Sequence, residues 1–313
     1  MIHRRQFLKI SGAALATLPA LNSIATKALT LEAGSSVSKL IQRAIPRSGE
    51  LVPVIGMGTS RTFDVANSPQ TLAQLSEVIR FFIEGNGRII DTSPMYGQAE
   101  SRVGDVMATF ENPPPMFNAT KVWTSGKKEG IAQMEESARR MRIKHFDLIA
   151  VHNLTDWRTQ LATLKEWKAE GKVRYIGITT SHGRDHDELT EIMKSQPLDF
   201  VQFSYNIEDR TAEKTLLPLA MDKGIATMIN RPYQRGSLFR QSKGKELPDV
   251  ARDIDCNSWG QFYLKFILSH PAATCIIPAT SKAKHMADNM QANFGRVPDS
   301  SQRTEMLRVF EAL

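Results

Sequence analysis

Among 313 residues there are only two cysteines, Cys256 and Cys275, so at most one disulfide is possible and a cross-linked scaffold is excluded. Cys275 lies in the apolar run Thr274-Cys275-Ile276-Ile277 and reads as a small strand residue, which predicts two free, buried thiols. Solenoid-type repeats and low-complexity tracts are missing, so one core is expected; the 41% hydrophobic and 7% aromatic content is ordinary for a globular enzyme. The formal charge of +7 is mild. Removing residues 1–25, with Arg4, Arg5 and Lys9, lowers it to +4, too little to predict nucleic-acid binding. A Gly-rich dinucleotide fingerprint is also lacking. Gly56-Met57-Gly58-Thr59 does not continue as one, which argues against a doubly wound sheet. His182 and His186 have metal-ligand spacing with Asp185 between them, but no third ligand is placed, and no metal is expected.

The first residues have a layout of their own. In His3-Arg4-Arg5-Gln6-Phe7-Leu8-Lys9, paired arginines stand directly before Phe and Leu, and a mildly apolar stretch follows to Ile24. This is the layout of a twin-arginine export signal. The stretch is too short and too weakly apolar for a membrane span, which needs about 20 predominantly apolar residues, so no stable membrane anchoring is expected. Small residues offer cleavage near Ala25 or Ala28, and no cysteine is there to accept lipid. The expected organisation is a signal at 1–25, a linker at 26–42 and a barrel domain at 43–313. The expected partner is the twin-arginine export machinery, the expected location is the periplasm, and the mature protein is expected to be a monomer.

Eight apolar, strand-like runs follow one another at about 52–58, 88–91, 117–121, 146–151, 174–178, 200–204, 225–229 and 274–278. Helical patterns lie between them. Leu72, Leu75, Val78, Ile79 and Phe82 recur at spacings of three and four, as do Met134, Ala138 and Met141. Further helices are expected at about 101–110, 158–170, 186–195, 211–222 and 257–269, with Gly85, Gly171 and Gly224 as left-handed closing residues. Eightfold alternation of strand and helix predicts a (βα)8 TIM barrel.

Polar residues stand where apolar runs end: Asp91 and Tyr96 after Ile89-Ile90, Lys121 after Ala119-Thr120, and His152 after Ala150-Val151. In a parallel barrel all strands point the same way, so these residues converge on one face. Their chemistry is coherent. Bringing a tyrosine from its pKa of about 10 to neutrality takes roughly 4 kcal/mol, and a neighbouring ammonium supplies part of it. An aspartate fixes that ammonium, and a histidine hydrogen-bonds the substrate oxygen. A Schiff-base aldolase also places a lysine at a strand end, but needs it neutral.

This arrangement resembles the aldo-keto reductase family. Arg88-Ile89-Ile90-Asp91-Thr92-Ser93-Pro94-Met95-Tyr96-Gly97, followed by Glu100 and Gly104, is similar to the family signature. Ile45 to Glu50 and Val52 to Thr59 resemble its opening β-hairpin and first barrel strand, and Thr120-Lys121-Val122 and Val151-His152-Asn153 supply the lysine and histidine. The resemblance runs from about Arg43 to Asn293. It implies that Tyr96 is the general acid/base, that Lys121 and Asp91 tune it, and that His152 orients a small-molecule carbonyl. It also implies NADPH/NADP+ as cofactor.

After the last strand, Ile277-Pro278-Ala279-Thr280-Ser281 leads into a helix start carrying Lys282, Lys284 and His285, a setting that suits phosphate. By the resemblance, Thr280, Ser281, Lys282 and His285 hold the adenosine 2′-phosphate, Asn289 meets the adenine, and Gln202 meets the nicotinamide carboxamide. His285 departs from the family's usual arginine, and Thr179-Thr180 from its Ser-Asn. Asn230, before Arg231, replaces the aromatic that stacks on the nicotinamide; either it packs differently or Tyr233 reaches back. The stretch 235–255 either folds over the cofactor or is a mobile insertion, and Trp123 and Trp157 are expected to wall the substrate pocket. The chain ends at Leu313, soon after its last helical pattern, which suggests an open site. The alternative function is a cofactor-binding sensor or accessory protein with little turnover.

Overall fold

The structure is a computed structural model describing residues 39–313, so the export signal read at positions 1–25 lies outside the described residues. Helix α1 (Pro69–Glu84) shows how the pattern builds the outer layer. Leu75, Val78, Ile79 and Phe82 form its buried stripe. Ser68 caps it by accepting the Thr71 N–H at 3.1 Å, and Pro69 stands in the first turn, where its missing N–H costs nothing.

The strands run in chain order as β1 (Gln42–Ala44), β2 (Leu51–Pro53), β3 (Met57–Gly58), β4 (Ile89–Asp91), β5 (Phe117–Val122), β6 (Phe146–His152), β7 (Val173–Thr179), β8 (Phe200–Ser204), β9 (Ala226–Asn230) and β10 (Cys275–Ile276). The remaining helices are α2 (Ala99–Met107), α3 (Lys127–Met141), α4 (Trp157–Ala169), α5 (His186–Ser195), α6 (Leu216–Lys223), α7 (Ser237–Gln241), α8 (Asp249–Asp253), α9 (Trp259–Leu268), α10 (Ala283–Gln291) and α11 (Ser300–Glu311). Strands β3 to β10 form one parallel sheet in sequence order. Parallel bridges Ile55–Ile276 and Gly58–Ala279 join its first and last strands, closing a (βα)8 barrel as expected. At Gly58 a Cβ would lie 2.8 Å from the Ile277 carbonyl oxygen, so only glycine permits that seam.

Hairpin β1–β2 plugs the amino end. Its Ile45 and Val52 join Phe117, Tyr175 and Phe200 in a small core, with the Tyr175 ring stacked on Phe117 at 5.9 Å and edge-on to Phe200 at 5.7 Å.

Several boundaries differ from the sequence expectations. The apolar run at 52–58 is two elements, the hairpin arm β2 and the barrel strand β3. Contacts begin before position 43, since Leu40 bridges Phe294 and the Ile41 N–H donates to Asn293 O at 2.7 Å. Gly171 and Gly224 are left-handed as expected, but Gly85 is not (φ −79°); Asn86 takes the left-handed position (φ 61°). Glycine is needed at 85 for another reason: a Cβ there would sit 2.4 Å from the Met290 Cβ of α10. The helix expected at 211–222 breaks at Thr215 (φ −140°) into a short 3-10 turn and α6. The stretch 235–255 holds α7 and α8, whose Leu238, Val250 and Ala251 are buried. Both thiols are free and buried.

Candidate active site

Asp91 ends β4, Lys121 lies one residue before the end of β5, and His152 ends β6; Tyr96 stands in the loop between β4 and α2. Parallel pairing of adjacent strands sets them side by side, and the structure brings all four together. Lys121 Nζ donates to both carboxylate oxygens of Asp91 at 2.8 Å and to the Thr92 carbonyl at 2.7 Å, with its side chain 0% exposed. The same ammonium lies 5.2 Å from the centroid of the Tyr96 ring. The His152 imidazole meets that ring edge-on, centroids 5.7 Å apart at 88°.

Burial and neighbouring charge set the protonation states. Burial works against the charge on Lys121, but the Asp91 carboxylate and Tyr96 outweigh it and hold the ammonium above its ordinary value. A fixed cation is the wrong state for Schiff-base chemistry. Burial pushes the Tyr96 phenol up; Lys121 pulls it down as expected, but less strongly, and Asp91 adds to the rise. Tyr96 therefore holds its proton at neutral pH. His152 is driven down to about 3 by burial and by Lys121, so its imidazole is neutral.

Behind the four residues the strand ends are cross-tied. Thr179 donates to Gln202 Oε1 at 3.0 Å, and Gln202 Nε2 donates to Asp91 Oδ1 at 3.1 Å. Asn230 Nδ2 donates to the Thr180 carbonyl at 3.0 Å and its Oδ1 accepts from Ser204 at 2.7 Å, so this side chain is locked among strand ends. Tyr233 does not reach back. Its hydroxyl donates to Asn289 Oδ1 at 2.7 Å and its ring packs on Phe239 at 4.8 Å. Asn289 is accordingly buried with its amide oxygen taken, where the resemblance implied an adenine ligand. Arg231 is left-handed (φ 53°), and its Nε and Nη2 donate to Gln234.

At the start of α10, Thr280 Oγ1 accepts the Lys282 N–H at 3.1 Å, and Gln74 of α1 donates to the Ser281 carbonyl at 2.8 Å. Lys282, Lys284 and His285 are exposed there and Ser281 is half-buried. Burial and the two lysines lower the His285 pKa. Trp123 is 41% exposed, with its ring 6.4 Å from that of His152, and so borders the site. Trp157 differs from expectation: it opens α4, donates its indole N–H to Glu188 of α5 at 2.9 Å and carries Arg158 over its ring, engaging the outer helices instead of the four central residues. His182 Nδ1 is 2.7 Å from Ser181 Oγ, and among the described residues no cluster of three His, Cys, Asp or Glu side chains is placed to hold a metal.

The sequence singled out no role for Ser93, Thr92 or Met95. Ser93 Oγ lies 2.9 Å from His152 Nδ1, the Thr92 carbonyl anchors Lys121, and Met95 is 44% exposed at the rim. Their signal was their position between Asp91 and Tyr96. Past His152, the chain takes left-handed backbone at Asn153, Leu154 and Asp156; Leu154 has no side-chain reason to do so, and strain of this kind gathers at functional turns. Asp156 steadies the turn by accepting the Gly126 N–H at 2.8 Å.

Sequence relatives and solved structures resemble this chain over most of its length. Methylglyoxal reductase YeaE of Escherichia coli (strain K12) is 24% identical over 255 residues, covering 79% of this chain and 88% of that protein. L-galactose dehydrogenase of Arabidopsis thaliana is 24% identical over 293 residues, covering 82% and 89%. An aldo-keto reductase from Klebsiella pneumoniae, solved in complex with NADPH, superposes with a TM-score of 0.71 at 21% identity, covering 88% of this chain and 95% of that one. Residues 54–304 match the model of the Aldo/keto reductase family, a span that takes in every strand of the barrel and all four central residues. The chain belongs to the aldo/keto reductase family and is an oxidoreductase.

Proposed function

We propose that this enzyme moves a hydride between NADP(H) and a carbonyl/alcohol pair, reducing an aldehyde or ketone or running the reverse, with Tyr96 as general acid/base. The observation that carries this is the buried Lys121–Asp91 pair beside a protonated Tyr96 and a neutral His152. In reduction, Tyr96 gives its proton to the carbonyl oxygen, and the Lys121 ammonium stabilises the phenolate left behind. Asp91 and the Thr92 carbonyl keep that ammonium in place, while His152 orients the oxygen. A positioned acid contributes about 10²–10⁴ in rate.

The strand ends fit a bound polar group. Thr180 Oγ1 and Arg231 Nη1 are buried without a hydrogen-bond partner, an unfavourable state that a ligand relieves. Thr179, Thr180 and Gln202 would hold the carboxamide end, with Asn230 and Arg231 beside it. Thr280, Ser281, Lys282 and His285 would take the 2′-phosphate, with Asn289 at the adenine. Bound NADPH supplies the hydride. The K. pneumoniae structure with NADPH supports this cofactor. An NADH-specific methylglyoxal reductase of E. coli, 29% identical over 191 residues but covering 58% of that protein, marks NADH as the competitor.

The reading includes export: residues 1–25 as a twin-arginine signal, 26–42 as linker, and a periplasmic monomer loaded with cofactor before crossing. His3 to Lys9 supports it. Arg4→Lys with Arg5→Lys should leave the folded protein in the cytoplasm, and undiminished periplasmic accumulation would refute export. The enzymatic test follows NADPH absorbance against a panel of aldehydes, ketones and quinones. Carbonyl-dependent oxidation is expected. Tight NADPH binding with no oxidation by any of them would instead mark a sensor.

A further inference from the structure

Ser93 and His152 are both buried, and Ser93 Oγ lies 2.9 Å from His152 Nδ1. The Met95 N–H donates to the same oxygen at 3.2 Å. A hydroxyl has one hydrogen and two lone pairs, which makes the direction of the Ser93–His152 bond decidable. Suppose the imidazole donated from Nδ1. Both lone pairs of Oγ would then be filled, and the serine hydrogen would need a third partner; among the described residues the oxygen has none. A buried donor left unused forfeits its hydration with nothing in return. In the opposite direction everything is satisfied: Ser93 O–H donates to Nδ1, and the Met95 N–H fills one lone pair.

We infer that Ser93 is a positioning residue that fixes His152 as the Nε2–H tautomer, so that the ring presents a hydrogen-bond donor to the substrate's carbonyl oxygen. The identity of that acceptor rests on the proposed function; the tautomer does not. Doubly protonated imidazole is no alternative, because burial and the Lys121 ammonium keep the ring neutral. With Nδ1 held by Ser93, the edge contact with Tyr96 at 5.7 Å and the Trp123 ring at 6.4 Å border the imidazole. Placing the single ring proton on the Ser93 side would leave a bare lone pair at Nε2 facing the lone pairs of a carbonyl. Ser93 thus makes a neutral histidine into an electrophilic contact.

The test is a long-range proton–nitrogen correlation spectrum of the 15N-labelled full chain, with His152 assigned by its loss in His152→Asn. An unprotonated, hydrogen-bonded Nδ1 and a protonated Nε2 are expected from about pH 5 to 8. Ser93→Ala should replace this pattern with mixed tautomers and lower kcat about fivefold to a hundredfold at unchanged NADPH affinity. Ser93→Thr should restore both. A protonated Nδ1 in the wild type overturns the inference, as does Ser93→Ala with wild-type tautomer and kcat. If Ser93→Ala does not fold, the wild-type spectrum alone decides. If no carbonyl is turned over, the proposed function falls while the spectrum still decides the tautomer.

Discussion

Lys121 Nζ sits 2.8 Å from each carboxylate oxygen of Asp91, and neither side chain is open to solvent beyond 4%. Breaking such a pair strands a charge in the barrel. Lys121→Met should therefore cost about 3–5 kcal/mol of stability as well as abolish turnover. Lys121→Met with Asp91→Leu removes both charges and should regain most of that stability without activity. A thermal-unfolding cycle over the four proteins checks this; additive losses would show that the two residues are not coupled.

The nucleotide preference should follow the first turn of α10. Truncating one side of a charge-assisted hydrogen bond costs about 1.5–3 kcal/mol, so Lys282→Ala should weaken NADPH binding roughly ten- to a hundredfold and leave NADH nearly unchanged. His285 has its pKa lowered by burial, Lys282 and Lys284, so it is largely neutral at pH 7. Binding a phosphate dianion favours its protonated form. His285→Arg should tighten NADPH at neutral pH, and this advantage over wild type should shrink as pH falls and His285 takes up its own proton. Fluorescence titrations between pH 5.5 and 8 (about the histidine range) measure it.

Gly85 sets the approach of α1 to α10, where the nucleotide phosphate is proposed to bind. A methyl group on Gly85 would lie 2.4 Å from the Met290 Cβ, although its backbone (φ −79°) tolerates any residue. Gly85→Ala should cost about 1–3 kcal/mol by overpacking and displace α10, weakening NADPH binding while leaving the Lys121–Asp91 pair intact. Unchanged stability and NADPH affinity would show that α10 yields without cost.

Lys265 of α9 is a second buried lysine, donating to the Phe294 and Arg296 carbonyls at 2.6 Å. Burial lowers its pKa to about 8 from 10.5. Between those values the unfolded chain holds the proton and the folded one does not, so unfolding takes up a proton and stability rises with pH. Wild type should gain roughly 1–3 kcal/mol relative to Lys265→Met as pH rises through that window. Chemical denaturation at a series of pH values reads the difference.

The barrel and its central four residues were legible because each strand is a short apolar run, several of them ending in a titratable residue, and parallel strands put those ends on one face. The first strand was misread because Val52 to Gly58 is apolar across both the hairpin arm and β3; only the pairing partners, Arg43 for Val52 and Ile90 for Met57, separate them. The Tyr233–Asn289 bond joins residues 56 apart on a loop and a helix, and no local pattern announces it. Trp157 was assigned to the pocket from its nearness in sequence to His152, yet its helix turns the indole toward Glu188. Local periodicity places elements well; which side chain a distant loop engages depends on packing that the sequence does not print.

The central claim is that Tyr96 delivers the proton. Tyr96→Phe removes one hydroxyl from the proposed chemical step and leaves the nucleotide site proposed at α10 untouched. The most direct measurement is the single-turnover rate of carbonyl-dependent NADPH oxidation in wild type and Tyr96→Phe, with NADPH affinity measured on the same preparations. The account predicts unchanged affinity and a rate lowered by about 10²–10⁴. A Tyr96→Phe enzyme that turns over at the wild-type rate would contradict it.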